Sequence, residues 1–398
     1  MDCDVLVIGG GPAGSTCAAL LAREGHRVVV LEKDRFPRFH IGESLLPCDL
    51  AIFDRLGLVL DQGPFVRKAG AEFFDERTGE HEVFSFAEGL SGTPRHAYQV
   101  ERAAFDEAVL ACARREGAIV RHGERVEDVR IASDCVEATT TDGTFVSRYF
   151  IDATGQDAFL ARRHRSVEPI KGFGVVAAFC HYDGLSPATA SELCETGNIH
   201  VMMRDDGWMW LIPLHGGRLS VGVVTRTPGV TTNLLDDAIA GSPHVQRLTQ
   251  GATRTEGRVI RNFSFRNTKS SGARWTCVGD ASIFLDPVFS SGVSLGMLAG
   301  ERMADRLSAA LQARSEDDPE LATPVHAAMR TAYVTFASLI ASFYKTRIVE
   351  HLFFAPAPDP ELRAGLISIL AGDVWRDDNR FQRMLLDSAK RRFDPFEA

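Results

Sequence analysis

Residues 4–14 read Asp-Val-Leu-Val-Ile-Gly-Gly-Gly-Pro-Ala-Gly, and this stretch decides the fold of the chain. Residues 4–8 are a short apolar run, typical of a buried parallel strand. A helical pattern follows over residues 15–24, and a second apolar strand over residues 27–31 ends in Glu32. The order is therefore strand, glycine-rich turn, helix, strand and acid, which predicts a βαβ unit at the start of an α/β fold.

Three glycines of this turn have separate physical roles in binding a dinucleotide. Gly9 permits the tight turn, Gly11 lets the backbone approach a pyrophosphate, and Gly14 lets the helix pack on the strand. The helix N-terminus attracts the anion, and Glu32 accepts hydrogen bonds from a ribose. We therefore expect cofactor contacts from Gly9, Gly11, Pro12, Ala13, Gly14 and Glu32.

Composition limits the remaining possibilities. A chain of 398 residues with 45% hydrophobic and 24% charged residues predicts a globular enzyme of two or more packed units. A net charge of -9 without a basic run disfavours nucleic-acid binding. The eight cysteines form no Cys-x-x-Cys pair, the histidines show no metal-ligand spacing, and no leader or membrane segment is visible. We expect a cytoplasmic protein without a metal site and without membrane contact.

Later segments resemble the flavoprotein hydroxylase superfamily in order and spacing. They are residues 100–102, a helical run over residues 103–116, a strand over residues 123–129, residues 151–155, and residues 279–282 followed by Asp286, Pro287 and Gly292. The resemblance implies that the dinucleotide is FAD, with Arg102 near the cofactor, Val126 at the adenine and Asp280 at the ribityl chain. Pro287, Gly292 and Val293 then lie at the flavin, where a helix beginning near Val293 directs its amides.

The middle of the chain has a different pattern. Short apolar runs with turn signals predict strands over residues 174–182, 199–203, 209–213, 219–225 and 257–265, with a hairpin turn at Gly216 and Gly217. A largely apolar helix is predicted over residues 325–351. We therefore predict a Rossmann-like FAD-binding domain (residues 1–72, 97–166 and 262–322), an inserted antiparallel substrate-binding sheet (73–96 and 167–261) and a helical C-terminal region (323–398).

Over roughly residues 1–300 the chain closely resembles flavin-dependent halogenases. The matching residues are Phe36-Pro37-Arg38, the Ile-Gly-Glu-Ser-Leu-Leu-Pro run at 41–47, Lys68, the Trp-Met-Trp-Leu-Ile-Pro run at 208–213, and residues 284–292. The resemblance implies that reduced FAD and oxygen convert chloride or bromide into hypohalous acid, which travels through a tunnel to the substrate. It also implies FAD contacts from Arg38 and Ser44.

The same resemblance assigns roles beyond the cofactor. Lys68 matches the essential lysine, which hydrogen-bonds the hypohalous acid or forms a haloamine with it; burial beside a dry pocket lowers the pKa of such an amine. Trp208, Trp210, Ile212 and Pro213 match the segment whose bulk keeps the organic substrate away from the flavin.

One departure bears on the substrate. Tryptophan halogenases carry a glutamate at the position of Phe289, whereas Phe289, Ser290, Ser291 and Gly292 resemble the halogenases of phenols and pyrroles. We place the halide at the backbone of Ser291 and Gly292, because amides at a helix N-terminus attract anions. The predicted substrate is an electron-rich aromatic ring in natural-product biosynthesis, either free or tethered to a carrier protein.

The source of electrons is predicted to be a second protein. Gly172, Gly174 and Ala177 nominally fit a second nucleotide motif, but a strand pattern follows them, so we expect no NAD(P)H domain. Reduced FAD would come from a separate flavin reductase. Three other functions fit the fold: a reductase of isoprenoid double bonds, an aromatic monooxygenase, and a flavin-binding protein without turnover.

The halogenase hypothesis makes a spatial prediction. The two indoles should stand between the flavin and an enclosed chamber, and the amine of Lys68 should reach into that chamber. An amine directed into bulk solvent, or an open passage that lets an organic molecule sit directly on the flavin ring, would contradict the hypothesis.

Overall fold

A computed structural model of the chain describes residues 1–229, 233–345, 353–354 and 358–397. Its strands, β1–β21 in chain order, are Cys3–Ile8, Val28–Glu32, Val66–Lys68, Gly70–Asp75, Glu80–Ser85, Ala97–Gln99, Ile119–His122, Val126–Ile131, Val136–Thr140, Gly143–Asp152, Val167–Pro169, Val176–Asp183, Ile199–Arg204, Gly207–Leu214, Arg218–Thr225, Thr253–Arg254, Arg258–Arg261, Phe265–Asn267, Ser271–Gly272, Trp275–Cys277 and Ile283–Phe284. The helices, α1–α11, are Pro12–Arg23, Leu50–Leu56, Arg102–Arg115, Phe159–His164, Pro187–Thr196, Leu234–Ala240, Pro243–Leu248, Ser291–Ala313, Thr323–Lys345, Pro360–Leu370 and Arg380–Asp387.

The first sheet is the predicted Rossmann-like unit. Its strands run in the order β19-β20-β10-β1-β2-β7, and β1, β2, β7, β10 and β20 pair in parallel. Because both faces of a parallel sheet are covered, β1 and β2 are almost continuously apolar and buried. Helix α1 begins at Pro12, three residues earlier than predicted, because proline suits the first turn of a helix.

The second sheet has the order β16-β12-β15-β14-β13-β4-β5, with β17 also paired to β12. The predicted hairpin at Gly216 and Gly217 joins β14 to β15, and both glycines have positive φ angles of 75° and 72°. The sheet is antiparallel except between β13 and β4, which pair in parallel. Strand β4 comes from a distant part of the chain and crosses the predicted boundary between residues 72 and 73; the domain limits remain a prediction.

Two predicted strands differ from the structure because a residue with a positive φ angle interrupts or precedes them. The single strand expected over residues 257–265 is wrong, because Asn262 has a φ of 53° that interrupts it, and β17 and β18 join different sheets. The strand expected over residues 123–129 begins only at Val126, after Gly123 with a φ of 75°. The long helix predicted over residues 325–351 is α9 up to Lys345, and the rest of that prediction lies outside the described residues.

Helices α9, α10 and α11 form the C-terminal region and cover the core. Helix α9 packs on α8, and α11 packs on α9 and α10. The loop after α10 closes over residues 46–49, where the Cys48 amide donates to the Ala371 carbonyl at 3.0 Å. Within the described ranges, no helix is both long and apolar enough to cross a membrane.

Helix α8 packs directly on α1, so a larger side chain at this contact should change the stability of the protein. A Cβ at Gly300 would lie 2.5 Å from the Ala13 carbonyl oxygen, whereas a Cβ at Gly296, one turn earlier, would find ordinary contacts at 3.5 Å. We expect Gly300→Ala to lower the free energy of unfolding by about 1–3 kcal/mol through overpacking. Gly296→Ala is the matched control and should be neutral or stabilising by up to about 1 kcal/mol. Urea unfolding of the apoproteins measures both, and equal effects would contradict the close approach.

Candidate active site and cofactor cavity

The glycine turn after β1 is built for close approach. Gly9 has a φ of 98°, and a Cβ there would overlap the Ala153 carbonyl. A Cβ on Gly14 would overlap the Gly9 carbonyl oxygen, so both positions require glycine. Gly11 has open space instead, since its nearest neighbour is the Arg38 guanidinium at 3.6 Å. The backbone of Gly11 is thus free to meet a bound pyrophosphate.

Glu32 is fixed at the end of β2 by two backbone amides. Gly10 donates to its Oε2 at 2.7 Å and Asp34 donates to its Oε1 at 2.9 Å. The buried carboxylate is therefore oriented before any ligand arrives. Its remaining lone pairs suit ribose hydroxyls, as the sequence predicts.

A cavity of about 950 Å³ runs from this turn to the second sheet. Of the predicted cofactor residues, those that line it are Gly9, Gly11, Pro12, Ala13, Glu32, Arg38, Ser44, Arg102, Val126, Asp280, Pro287, Gly292 and Val293. Gly14 is not in the lining, because it packs behind the turn. The size, the open cradle at Gly11 and the ordered acid at Glu32 fit FAD.

Arg102 supports the cavity through its neighbours. Its guanidinium donates to Asp106 at 2.7 Å and to the Ile41 carbonyl at 2.6 Å. Arg38 forms an ion pair with the same aspartate at 3.1 Å. The segment of residues 38–46, which we call the 38–46 segment, is thereby tied to helix α3.

The ribityl end of the cavity contains Asp280 and the start of α8. Gln156 donates to the Asp280 carboxylate at 3.2 Å, and burial raises the pKa of Asp280 to about 6. Helix α8 begins at Ser291, two residues before the predicted start, after Ser290 with a φ of 57°. Ser290 and Gly292 line the cavity, whereas Ser291 is buried. The halide site at the backbone of Ser291 and Gly292 remains a prediction.

The Trp208–Pro213 run lies on β14 and forms one wall. Trp208, Trp210 and Ile212 line the cavity and are nearly fully buried. Pro213 is not in the lining, because successive residues of a strand face opposite sides. The two indole rings lie 5.7 Å apart, and the Trp210 ring occupies the space that a side chain at Gly222 would need.

A hydrogen-bond chain fixes the first indole. Trp208 donates through Nε1 to the Tyr344 hydroxyl at 3.0 Å, and Tyr344 donates to Asp286 at 2.9 Å. Asp286 also accepts from the Gly174 amide at 2.8 Å and the Val288 amide at 3.1 Å. Tyr344 is not identifiable from sequence, because it lies on α9, far from every motif.

Lys68, at the end of β3, is 1% exposed. Its Nζ donates to the Ser44 hydroxyl at 2.9 Å and to the Leu45 carbonyl at 3.0 Å, and it lies 5.4 Å from the centre of the Phe86 ring. Burial lowers the pKa of Lys68 to about 7, and the charge of Asp49 opposes that fall.

The amine of Lys68 is directed into the protein rather than into solvent. Ser44 lines the 950 Å³ cavity and its hydroxyl accepts from Lys68, whereas Lys68 itself is not in the lining. The chamber expected beyond Lys68 remains a prediction.

The fold and the cavity define an FAD-dependent oxidoreductase with a Rossmann-like cofactor domain. A model of the tryptophan halogenase family matches residues 4–94 and 87–357. The chain therefore belongs to this family of flavin-dependent halogenases, and the predicted family, fold class and FAD cofactor are confirmed.

Similar proteins agree with this membership. The flavin-dependent halogenase armH1 of Armillaria mellea is 31% identical over 382 residues, which cover 86% of this chain and 71% of the relative. The 1H-pyrrole-2-carbonyl-[peptidyl-carrier protein] brominase of Pseudoalteromonas luteoviolacea is 31% identical over 93% of this chain and 91% of its own length. The crystal structure of a flavoprotein/dehydrogenase from Cytophaga hutchinsonii superposes with a TM-score of 0.86 at 29% identity, covering 96% of this chain and 95% of that one. The protein is an FAD-dependent enzyme that halogenates an aromatic substrate.

Glu32→Gln tests the cofactor end of the cavity. The change replaces one acceptor oxygen by an amide group that cannot accept from Gly10 and a ribose. We expect the FAD dissociation constant, measured by flavin fluorescence, to rise about ten- to hundredfold. Glu24→Gln, an identical charge change at the exposed end of α1, should leave it unchanged; equal affinities for both variants would contradict the assignment.

Proposed function

We propose that the protein chlorinates or brominates an electron-rich ring of the pyrrole or phenol type, with Lys68 as the amine that receives the hypohalous acid. The observation that carries this proposal is the burial of Lys68 beside Ser44, a residue that lines the cofactor cavity. Reduced FAD, when bound, supplies the electrons that let oxygen oxidise the halide. The residues of the chain then hold and direct the oxidised halogen.

The wall and the helix start have complementary roles in this proposal. The free amides of the first turn of α8, at Gly292 and its neighbours, attract a halide ion. Trp208 and Trp210 line the cavity, and in this proposal their bulk keeps an organic ring away from the flavin. The halide is small enough to enter, so the cavity favours halogenation over oxygen transfer to the substrate.

The side chain at position 289 supports an activated substrate. Phe289 is buried and packs edge-on against Phe343, with ring centres 5.8 Å apart. A phenyl ring offers no negative charge to stabilise a cationic ring intermediate. An electron-rich pyrrole or phenol needs less of that help than the benzene ring of tryptophan.

Two partners follow from the same reasoning. The pyrrolyl-carrier-protein brominase covers 93% of this chain, which favours a substrate tethered to a carrier protein.

The second partner is the source of reduced FAD. Ala177 lies in strand β12, which supports the prediction that Gly172, Gly174 and Ala177 form no second nucleotide motif. We therefore infer that a separate flavin reductase supplies reduced FAD. The cytoplasmic location remains a prediction.

Lys68→Ala tests the proposed reaction. The wild-type protein is incubated with FAD, a flavin reductase, NADH, oxygen and bromide, and the product is identified by mass spectrometry. We expect brominated product from the wild type and a loss of about 10²-fold or more in Lys68→Ala, with FAD binding retained. Arg67→Ala changes the exposed neighbouring cation and should keep the activity. Hydroxylated product, or full activity of Lys68→Ala, would contradict the proposal.

The same assay tests the substrate. Pyrrole-2-carbonyl loaded on a peptidyl carrier protein, free pyrrole-2-carboxylate, a simple phenol and free tryptophan are compared at equal concentration. We expect bromination of the tethered pyrrole to exceed that of tryptophan at least about tenfold, a difference of about 1.4 kcal/mol in transition-state binding. Preference for tryptophan would show that Phe289 does not exclude that substrate.

A further inference from the structure

Asp49 is a buried carboxylate that no step described so far uses. It ends the short 3-10 turn Pro47–Asp49 and is 0% exposed. Its Oδ2 accepts from the Ser294 hydroxyl at 2.8 Å and from the Leu46 amide at 3.1 Å. Ser294 lies on α8, two residues after Gly292, so Asp49 is connected to the helix start that faces the cavity.

Asp49 and Lys68 bind opposite ends of the same peptide group. The carbonyl of Leu45 accepts from the Lys68 ammonium at 3.0 Å, and the amide of Leu46, the other half of that peptide group, donates to Asp49 at 3.1 Å. The peptide dipole therefore points its negative end at the amine and its positive end at the carboxylate. Such an arrangement stabilises both charges together, because hydrogen bonds polarise one another in a buried network.

We propose that Asp49 is the positioning counter-ion of Lys68 and that it acts through the Leu45–Leu46 peptide group to hold the amine as an ammonium ion near neutral pH. The inference rests on the proposed role of Lys68. The ammonium form is the stronger hydrogen-bond donor to the oxygen of hypohalous acid. Ser294 fixes the carboxylate and couples this pair to α8.

Among the described residues, Asp49 is the charged group that acts on Lys68. Cys48 is adjacent, but burial raises the pKa of its thiol well above the usual value and keeps it neutral. On the strand paired with β3, Tyr98 donates to Asp61 at 2.7 Å. His96 in turn meets the Tyr98 hydroxyl at 3.5 Å, and the charge of Asp61 also acts on His96.

The sign of the pH dependence follows from burial and charge. Burial lowers the pKa of Lys68 to about 7 and raises the pKa of Asp49 to about 6, and each charge partly restores the other. The two protons therefore belong to the pair. Without the carboxylate, burial is unopposed and the pKa of Lys68 falls further. A variant without this carboxylate therefore loses the ammonium at a lower pH than the wild type. Below about pH 6 the Asp49 carboxylate of the wild type takes up a proton, and the wild type and the variant become alike.

Asp49→Asn tests the proposal through the ratio of its kcat/KM for bromination to that of the wild type, measured from pH 5.5 to pH 8.5. We expect this ratio to fall by about tenfold over that range, which corresponds to a loss of one pKa unit. A role in packing alone would lower activity by the same factor at every pH. A flat ratio, or one that rises with pH, therefore overturns the proposal.

Ser294→Ala gives a second test that keeps every charge. Loss of its hydroxyl destabilises the ionised carboxylate of Asp49. We therefore expect the ratio of the variant's kcat/KM to that of the wild type to fall about threefold between pH 5.5 and pH 7.5. If Asp49→Asn does not fold, this variant decides, and a flat ratio overturns the proposal. Asp75→Asn is the matched control, because Asp75 is also buried but pairs with Arg77 at the end of β4. The ratio of its kcat/KM to that of the wild type should be constant over this pH range.

The proposed function is judged separately in the same experiment. Lys68→Ala is assayed beside the other variants. Absence of brominated product in the wild type, or full activity of Lys68→Ala, overturns both proposals. Lys68-dependent bromination with a flat Asp49→Asn ratio overturns the counter-ion assignment alone.

Discussion

The account of this protein depends on one interaction: the buried amine of Lys68 donating to the Ser44 hydroxyl and the Leu45 carbonyl. An ammonium ion is costly to bury, so its position requires acceptors and an opposing charge within the protein. The structure supplies the acceptors from the 38–46 segment and the opposing charge from Asp49. A lysine on a solvated strand would have no such need and no comparable chemistry.

The 38–46 segment connects the cofactor cavity to that amine. Arg102 holds Ile41 from the side of helix α3, and His181 of the second sheet meets the Glu43 carboxylate at 2.9 Å. Ser44 lies between the two, since it lines the cavity and its hydroxyl accepts from Lys68. Flavin binding and the amine are thus linked through one short piece of backbone. Displacement of that segment would disturb both.

The fold was largely predictable because its signals are local. The glycine turn, the apolar strands β1 and β2 and the hairpin at Gly216 follow from residues adjacent in sequence. The parallel pairing of β4 with β13 was not predictable, because it joins segments more than a hundred residues apart. Asn262 shows the same limit, since its positive φ divides a run whose apolar pattern is continuous.

The candidate site also contains residues that the sequence identifies and residues that only the folded chain identifies. Motif residues such as Glu32 and Trp208 lie where their patterns indicate, because each motif is tied to a strand end or a strand face. Ser291 and Pro213 are adjacent to residues that line the cavity but are not in the lining themselves, since one residue changes the side of a strand or helix. Tyr344 and Asp49 have no motif, and their roles come from contacts that only the folded chain creates.

The central claim is that Lys68 carries a buried amine of altered acidity, and NMR measures this directly. The chain contains six lysines, so a sample labelled with ¹³C at lysine Cε gives few signals, and Lys68→Ala identifies the one of interest. The account predicts that this signal titrates near pH 7. Titration of Lys68 only above pH 10 would contradict it.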